Sequence, residues 1–539
     1  MTDGRTNGKI TTISARCDDV DVDGAADLEK AISATGYGTF NVLLLIAALP
    51  AAWTGLFDTT TTAFILASAE CDLQLTFFRK GVLLAFPYIG ITLTSFMWDH
   101  VTPYVGARNL FVAGLLLDTV LNIVSTVVDS YYAFLAIKFL SGVLVGGPFS
   151  IVLGYLSEFH SAEYKAGFTR WAGLLVNVGI IVPAVIAFLV LPLTWEVEIF
   201  DRRYNTWRIY LLICTTVPLI GLLTASTLPQ TPKYLLEIGR TEDALNLLRT
   251  TYAVNRWMPA DTFPIKKLLA RQDAQLSRRS LFKENSEKIR LALYNTKQVF
   301  SGPYLRTVSL LGFLQFGSML AFNTMRLWVP HMFMILSNFD AERWTEDRPP
   351  TMSEMLDRRR TVPARDYLSC PDFDDICMTW TINASVYQKS AMIATSAVTV
   401  AFLAGIIATT KFRKKILLLA GFLISVVGSF GSNWGQAPLY MLLLCIAIIV
   451  TTRVTGNVVN AVNADVIPTL LRSTSLNVLT TFGNLGAILG NLIFSALLNL
   501  DSLYGFIGLG CLMFACFCLS FLPLEPVKPS PKSLDRPTV

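Results

Sequence analysis

Tyr155-Leu156-Ser157-Glu158-Phe159-His160-Ser161-Ala162-Glu163-Tyr164-Lys165 and Asn463-Ala464-Asp465-Val466-Ile467-Pro468-Thr469-Leu470-Leu471-Arg472 carry one charge arrangement twice. Each sets an acid seven residues ahead of a base, Glu158 to Lys165 and Asp465 to Arg472, and the two acids are 307 residues apart. Each stretch follows one long apolar run and precedes another. A charged hinge recurring in the same setting indicates one architectural unit used twice, and internal repetition has to be weighed before any local reading.

The runs around these hinges exclude an ordinary soluble domain. Of the 539 residues 53% are hydrophobic and only 15% are charged. A helix needs about 20 mostly apolar residues to cross a bilayer. Twelve such runs can be marked, near 40–67, 80–98, 106–128, 131–155, 169–192 and 207–228, then 304–335, 389–409, 414–432, 437–462, 472–498 and 502–522. The expected fold is an all-α polytopic membrane protein, with twelve transmembrane helices in two pseudo-symmetric six-helix halves. The chain divides into a tail at 1–36, a first half at 37–228, a linker at 229–303, a second half at 304–522 and a tail at 523–539. The net charge of +5 is too small to indicate nucleic-acid binding.

Lys and Arg concentrate between Lys233 and Arg306 and in Lys411-Phe412-Arg413-Lys414-Lys415, which fall on one side of the membrane. The positive-inside rule then places both termini in the cytoplasm, although Arg202-Arg203 runs against it. The polar, acidic first 36 residues lack the basic-then-apolar pattern of a secretory signal and read as a mobile tail. Loop 337–388 falls on the opposite, extracytoplasmic side. It holds Cys370 and Cys377, which an oxidising compartment would let pair, and the sequon Asn383-Ala384-Ser385, a candidate for glycosylation. The linker opens with Thr231 and Pro232 placed to start a short helix, Gly239 to stop it and Thr241 to cap a second.

Ionisable and amide side chains inside spans are costly in lipid, so they face a cavity or another helix. Asp58, followed by four threonines, lies within the first run and suits either a solute or ion path or a local hydrogen-bonded node. Asn323 and Arg326 lie in the seventh. Arg453, Asn457 and Asn460 share one face of the tenth, being four and three residues apart. These six residues are the candidates for lining a central cavity, with helix–helix bonding the alternative for the tenth-span stripe. Gly142 with Gly146, and Gly486 with Gly490, present the small surfaces that let helices approach closely.

These stretches resemble the major facilitator superfamily, and within it the synaptic vesicle glycoprotein 2-like branch, akin to organic cation and sugar porters. The resemblance rests on Lys138-Phe139-Leu140-Ser141-Gly142-Val143-Leu144-Val145-Gly146-Gly147, Tyr155-Leu156-Ser157-Glu158-Phe159, Ala67-Ser68-Ala69-Glu70, Trp207-Arg208, Pro229-Gln230-Thr231-Pro232-Lys233 and Pro303-Tyr304-Leu305-Arg306. It covers about Gly36 to Pro523. It implies two halves that open a central site to each side in turn, with Glu158, Lys165, Arg108, Asp465, Arg472 and Arg413 as gating charges. The chain departs from the family where Trp98-Asp99-His100-Val101-Thr102-Pro103-Tyr104-Val105-Gly106-Ala107-Arg108 puts Pro103 at the usual Asp position. Loop 337–388 is also too short for the folded lumenal domain of the vesicle glycoproteins.

The expected function is secondary active or facilitative transport of a small polar or charged organic solute by alternating access. A proton or another coupling ion is a possible partner, with Asp58 the candidate to bind the proton. The alternative is a transporter-derived membrane scaffold or regulator that no longer transports. No phosphate-binding loop, His-Glu-x2-His or metal-ligand cluster is present, so the chain does not read as an enzyme and needs no cofactor or metal. The plasma membrane and an intracellular vesicle membrane fit equally.

Overall fold

A computed structural model describes residues 25–193, 195, 197–199, 202–268, 290, 291, 293–339, 348–361 and 382–522. Among them, eleven helices are both long and apolar enough to cross a bilayer. In the first half these are Thr39–Ile65, Ala107–Ser125, Tyr131–Ser157, Ala162–Val190 and Thr206–Thr227. In the second they are Tyr304–Ser337, Ala384–Ile407, Lys411–Trp434, Pro438–Val466, Thr469–Leu500 and Ser502–Leu519. The twelfth expected span is the helix Phe77–Val105. At 29 residues it is about 43 Å long, ample for a hydrocarbon layer of roughly 30 Å. Its charged residues, Arg79 and Lys80 at one end and Asp99 near the other, flank an uncharged stretch at 81–98. We number the spans one to twelve in chain order, with Phe77–Val105 as the second.

Glycines set the closest crossings. A Cβ on Gly142 of span four would overlap the Pro87 carbonyl of span two, and one on Gly486 of span eleven would overlap the Phe316 carbonyl of span seven. The expected role of the paired glycines in helix packing therefore holds at equivalent places in both halves. Spans five and six each break near the middle, at Gly179-Ile180 and Thr215.

The linker begins as its sequence indicates. Thr231 Oγ1 accepts from the Tyr234 amide at 3.2 Å and starts the helix Pro232–Glu237, and Gly239 adopts φ +80° beyond its end. Thr241, expected as the next cap, is instead the first residue of the helix Thr241–Arg256, with no side chain capping it. The reading of residues 1–36 as a mobile tail needs correction over its described part, 25–36. Leu28–Thr35 is helical, and its Ala31 and Ile32 are buried against Leu235, Ala244, Leu245, Leu248 and Phe263 of the linker. Ala25–Ala26 pairs in parallel with Lys267–Leu268. Burying those apolar faces supplies what composition alone does not reveal.

Asn255 fastens this layer to the first half. Its Nδ2 donates to Asn41 Oδ1 at 2.9 Å and to the Gly36 carbonyl at 3.1 Å, while its Oδ1 accepts from the Phe40 amide at 3.0 Å. Asn41 in turn donates to the Phe159 carbonyl at 3.2 Å and sits 3.2 Å from His160 Nε2.

At the far end, Arg208 of span six reaches the loop after span three. It donates to the Thr126 and Val128 carbonyls at 2.9 and 3.0 Å and pairs with Asp129 at 2.6 Å. Trp207 donates to Asp72 at 2.7 Å. The helix Met352–Thr361 covers the far end of the second half, with Met352, Met355 and Leu356 buried and Asp357 Oδ1 accepting from the Ser502 amide and hydroxyl at 3.0 and 2.7 Å.

Candidate functional site

The two halves meet around a cavity of about 250 Å³ lined by spans one, five, seven, eight and ten. Span one presents Thr60 and Phe64, and span five presents Arg170 and Asn177. Span seven adds Phe322 and Arg326, span eight Ser390 and Phe402, and span ten Arg453 and Asn457. Most of the remaining wall is alanine, isoleucine, leucine, valine and glycine. The cavity runs from mid-span Thr60 and Arg326 toward the linker end, where Arg170 and Asn457 are exposed.

Among the described residues four hydrogen bonds at the cavity join the halves, two of them between lining residues. Arg326 Nη1 donates to Thr60 Oγ1 at 2.8 Å, and Arg453 Nη2 donates to Asn177 Oδ1 at 2.5 Å. Arg326 Nη2 also donates to Tyr88 Oη at 2.9 Å, and the Tyr88 hydroxyl donates to Asn323 Oδ1 at 3.0 Å. Both guanidinium groups flank one ring: their carbons lie 5.5 Å (Arg326) and 5.1 Å (Arg453) from the Phe322 centroid, within cation–π range.

Of the six cavity candidates from sequence, Arg326, Arg453 and Asn457 line the cavity. Asn323 stands behind it, holding Tyr88 and Arg326. Asn460 is outside the lining, half-buried, with its Oδ1 lacking a partner among the described residues. Asp58 does not line the cavity either. It faces the other spans of its own half, where Asn122 Nδ2 donates at 3.0 Å both to Asp58 Oδ1 and to Asp118 Oδ2. Lys138 Nζ donates to Asn122 Oδ1 at 3.2 Å, and the four side chains are all buried. Asp118 and Asn122 escaped the sequence reading, although two polar residues four apart within an apolar run share a helix face and signal such a node.

The rim charges do not pair as their spacing suggests. Glu158 and Lys165 form no ion pair among the described residues, and neither does Arg472. Asp465 instead bonds Lys414 Nζ at 2.6 Å, joining spans ten and nine. Arg108 Nη2 donates to the Ser226 carbonyl at 2.5 Å, tying span three to span six within one half. Arg413 is exposed, and among the described residues its side chain bonds only Thr409 Oγ1, at 3.3 Å. A seven-residue offset across a helix end and a turn does not bring two side chains together, whereas neighbouring helices can.

Cys370 and Cys377 lie outside the described residues. Cys71, after span one, is disulfide-bonded. Asn383 is exposed and caps span eight, its Oδ1 accepting from the Ser385 amide at 3.0 Å. No group of His, Cys, Asp or Glu able to hold a metal occurs among the described residues.

The sequence pattern of the sugar (and other) transporter family matches residues 51–325, just over half of the chain. The chain belongs to that family. It is 27% identical over 233 residues to rat (Rattus norvegicus) synaptic vesicle glycoprotein 2A, a match covering 43% of this chain and 31% of that protein. To rat synaptic vesicle glycoprotein 2B it is 26% identical over 233 residues, 43% of this chain and 34% of that protein. The matched region thus spans about a third of these relatives' length. Among solved structures, the partially occluded inward-open xylose transporter XylE of E. coli superimposes with a TM-score of 0.60 at 14% identity, covering 90% of this chain and all of XylE. A bacterial homologue of the human lysosomal transporter Spinster, inward-facing and occupied, gives 0.61 at 10% identity over 90% of this chain and 97% of its own. The fold is that of the major facilitator superfamily, and the chain is an integral, multi-pass membrane protein.

Proposed function

We propose that the protein carries a small organic solute across its membrane by alternating access, with the solute held between Arg326 and Arg453. One observation carries this reading: the cavity is built jointly by the two halves, and its cross-links, Arg326 to Thr60 and Arg453 to Asn177, are the polar contacts that a bound solute would contest. A solute gaining those donors changes how the halves hold together, which is what couples binding to a shift between conformations. The basic linker end is the cytoplasmic side, on the excess of Lys and Arg there. The rim charges Glu158, Lys165 and Arg472, without ion-pair partners among the described residues, fit a conformation open toward that side and become available to close it in the other.

Coupling to a proton falls to the Asp58–Asp118 node. Two carboxylates and one ammonium leave one net negative charge, which a single proton neutralises. Asp58 Oδ2 and Asp118 Oδ1 receive no donor among the described residues and the two carboxyl groups interact directly, so one proton can be shared between them. Uptake into proteoliposomes tests both parts. Metabolites retained by vesicles bearing the protein and absent from empty ones would identify a solute. Its accumulation should follow an inward proton gradient and lose that dependence in Asp118→Asn. Vesicles that retain nothing would end the transport reading and leave the scaffold alternative.

A further inference from the structure

We infer that the solute is an organic anion of modest size, its carboxylate or other oxyanion held between Arg326 and Arg453 and its apolar body against Phe322 and the aliphatic wall. The inference rests on the reading of this cavity as the solute site and adds its chemical class. The first ground is charge. Three arginines border the cavity, Arg170, Arg326 and Arg453, and no aspartate or glutamate does. None of the three has a carboxylate partner among the described residues. Arg326 bonds a hydroxyl of Thr60, the Tyr88 phenol and the Asn323 amide, and Arg453 bonds the Asn177 amide. Arg326 and Arg453 are half-buried, and a guanidinium partly withdrawn from water and met only by neutral dipoles is undercompensated, so an arriving anion supplies what is missing.

The second ground is donor geometry. Arg326 Nε is buried without a partner among the described residues, although both of its terminal nitrogens are engaged. A guanidinium presents a planar fork suited to two-point contact with a carboxylate or phosphate. Both guanidinium groups lie beside the same ring and border the same cavity, so an anion entering it meets both.

The remaining wall sorts the competing classes. A neutral sugar needs acceptors for its hydroxyl hydrogens as well as donors. The arginines offer donors alone, the Thr60 and Asn177 oxygens already accept from them, and Ser390 and Asn457 are the polar side chains left in the lining. A cationic solute would meet three like charges and no counter-charge. Phe64, Phe322 and Phe402, with the aliphatic side chains between them, favour an apolar body over a polyhydroxylated one. Sites for drug-sized ligands occupy about 300–1,000 Å³, so a cavity of about 250 Å³ suits a smaller molecule.

The test is equilibrium binding to the purified full-length protein, using benzoate and succinate as anions, glucose as the neutral probe and tetraethylammonium as the cation. Benzoate should bind saturably and raise the unfolding temperature, while glucose and tetraethylammonium should do neither. Arg326→Gln and Arg453→Gln should each weaken benzoate at least tenfold. Asn177→Asp, nearly isosteric, places a built-in carboxylate on Arg453 and should weaken benzoate similarly while leaving the fold intact, so the result does not hang on the arginine variants folding. Failure of both anions to bind, or undiminished benzoate binding in Asn177→Asp, would overturn the inference. Benzoate that binds but never crosses vesicle membranes would uphold the anion site and remove the transport reading. Glucose uptake without anion binding would do the reverse.

Discussion

Lys80 Nζ of span two lies 3.1 Å from His331 Nε2 of span seven, joining the two halves at the end opposite the linker. Both side chains are buried, and Glu70 approaches the same ammonium at 3.0 Å. Phe77 stacks on Trp328 beside them. This far-end contact lies on the other side of the mid-span cross-links from the cavity's exposed mouth.

Lys80→Met should therefore release the far end. Removing one member of a buried, hydrogen-bonded pair costs about 3–5 kcal/mol, and each 1.4 kcal/mol or so shifts a two-state balance about tenfold. Spin labels at Leu193 and Trp434, both exposed at that end, should report a longer separation in the variant. An unchanged distance distribution would deny Lys80 this role.

Arg208→Ala should destabilise without touching the cavity. Its guanidinium is buried and serves two carbonyls and Asp129, and hydrogen bonds to charged groups are worth about 1.5–3 kcal/mol each. Thermal unfolding in detergent should show a drop of several degrees, with solute affinity retained in the surviving protein.

Gly142→Val and Gly486→Val should each lower stability by about 1–3 kcal/mol or more, because the added carbons collide with backbone of the crossing helix, which cannot swing aside. The same substitution at Gly154 or Gly405, whose added Cβ would meet nothing within 4 Å, serves as the control in the same unfolding assay and should be far milder.

A pH dependence should arise at His160, in the turn between spans four and five. Burial is the main cause holding its imidazole below the ordinary 6.5; the bond to the Leu156 carbonyl opposes this and nearby Lys165 adds to it. With Nδ1 donating to Leu156 at 2.8 Å, Nε2 accepts from Asn41, and the ring stacks 3.6 Å from Phe168. The folded state thus binds the proton less readily than the unfolded chain. The stabilisation is whole above about pH 6.5 and fades as pH falls through the lower, folded value. Unfolding temperature should decline from pH 7.5 to 5.5, and His160→Gln should flatten that decline.

The span count is legible because lipid imposes a length and a composition on every crossing, and even span two, with Lys80 buried in it, is long enough to be marked. Arg326 and Arg453 are legible for a related reason, since a guanidinium inside a span needs a polar destination. Asp58 satisfies the same rule and goes elsewhere. Which neighbour a side chain meets depends on the rotation of its helix, and one chain's sequence does not encode that in any local pattern. The Asp465–Lys414 bond is hidden likewise, because its partners are brought together by the packing of spans nine and ten. Docking of Leu28–Thr35 on the linker is beyond local reading as well, since its apolar face is short and only the burial it finds makes it stable.

On the proposed transport reading, Arg326 and Arg453, half-buried with no acid in the lining beside them, would make the empty protein an electrical object. Voltage acts on such groups with about 2.3 kcal/mol per elementary charge for each 100 mV. Reorientation without cargo would then register as a transient capacitive current, and the resting potential would help decide which compartment the empty protein faces.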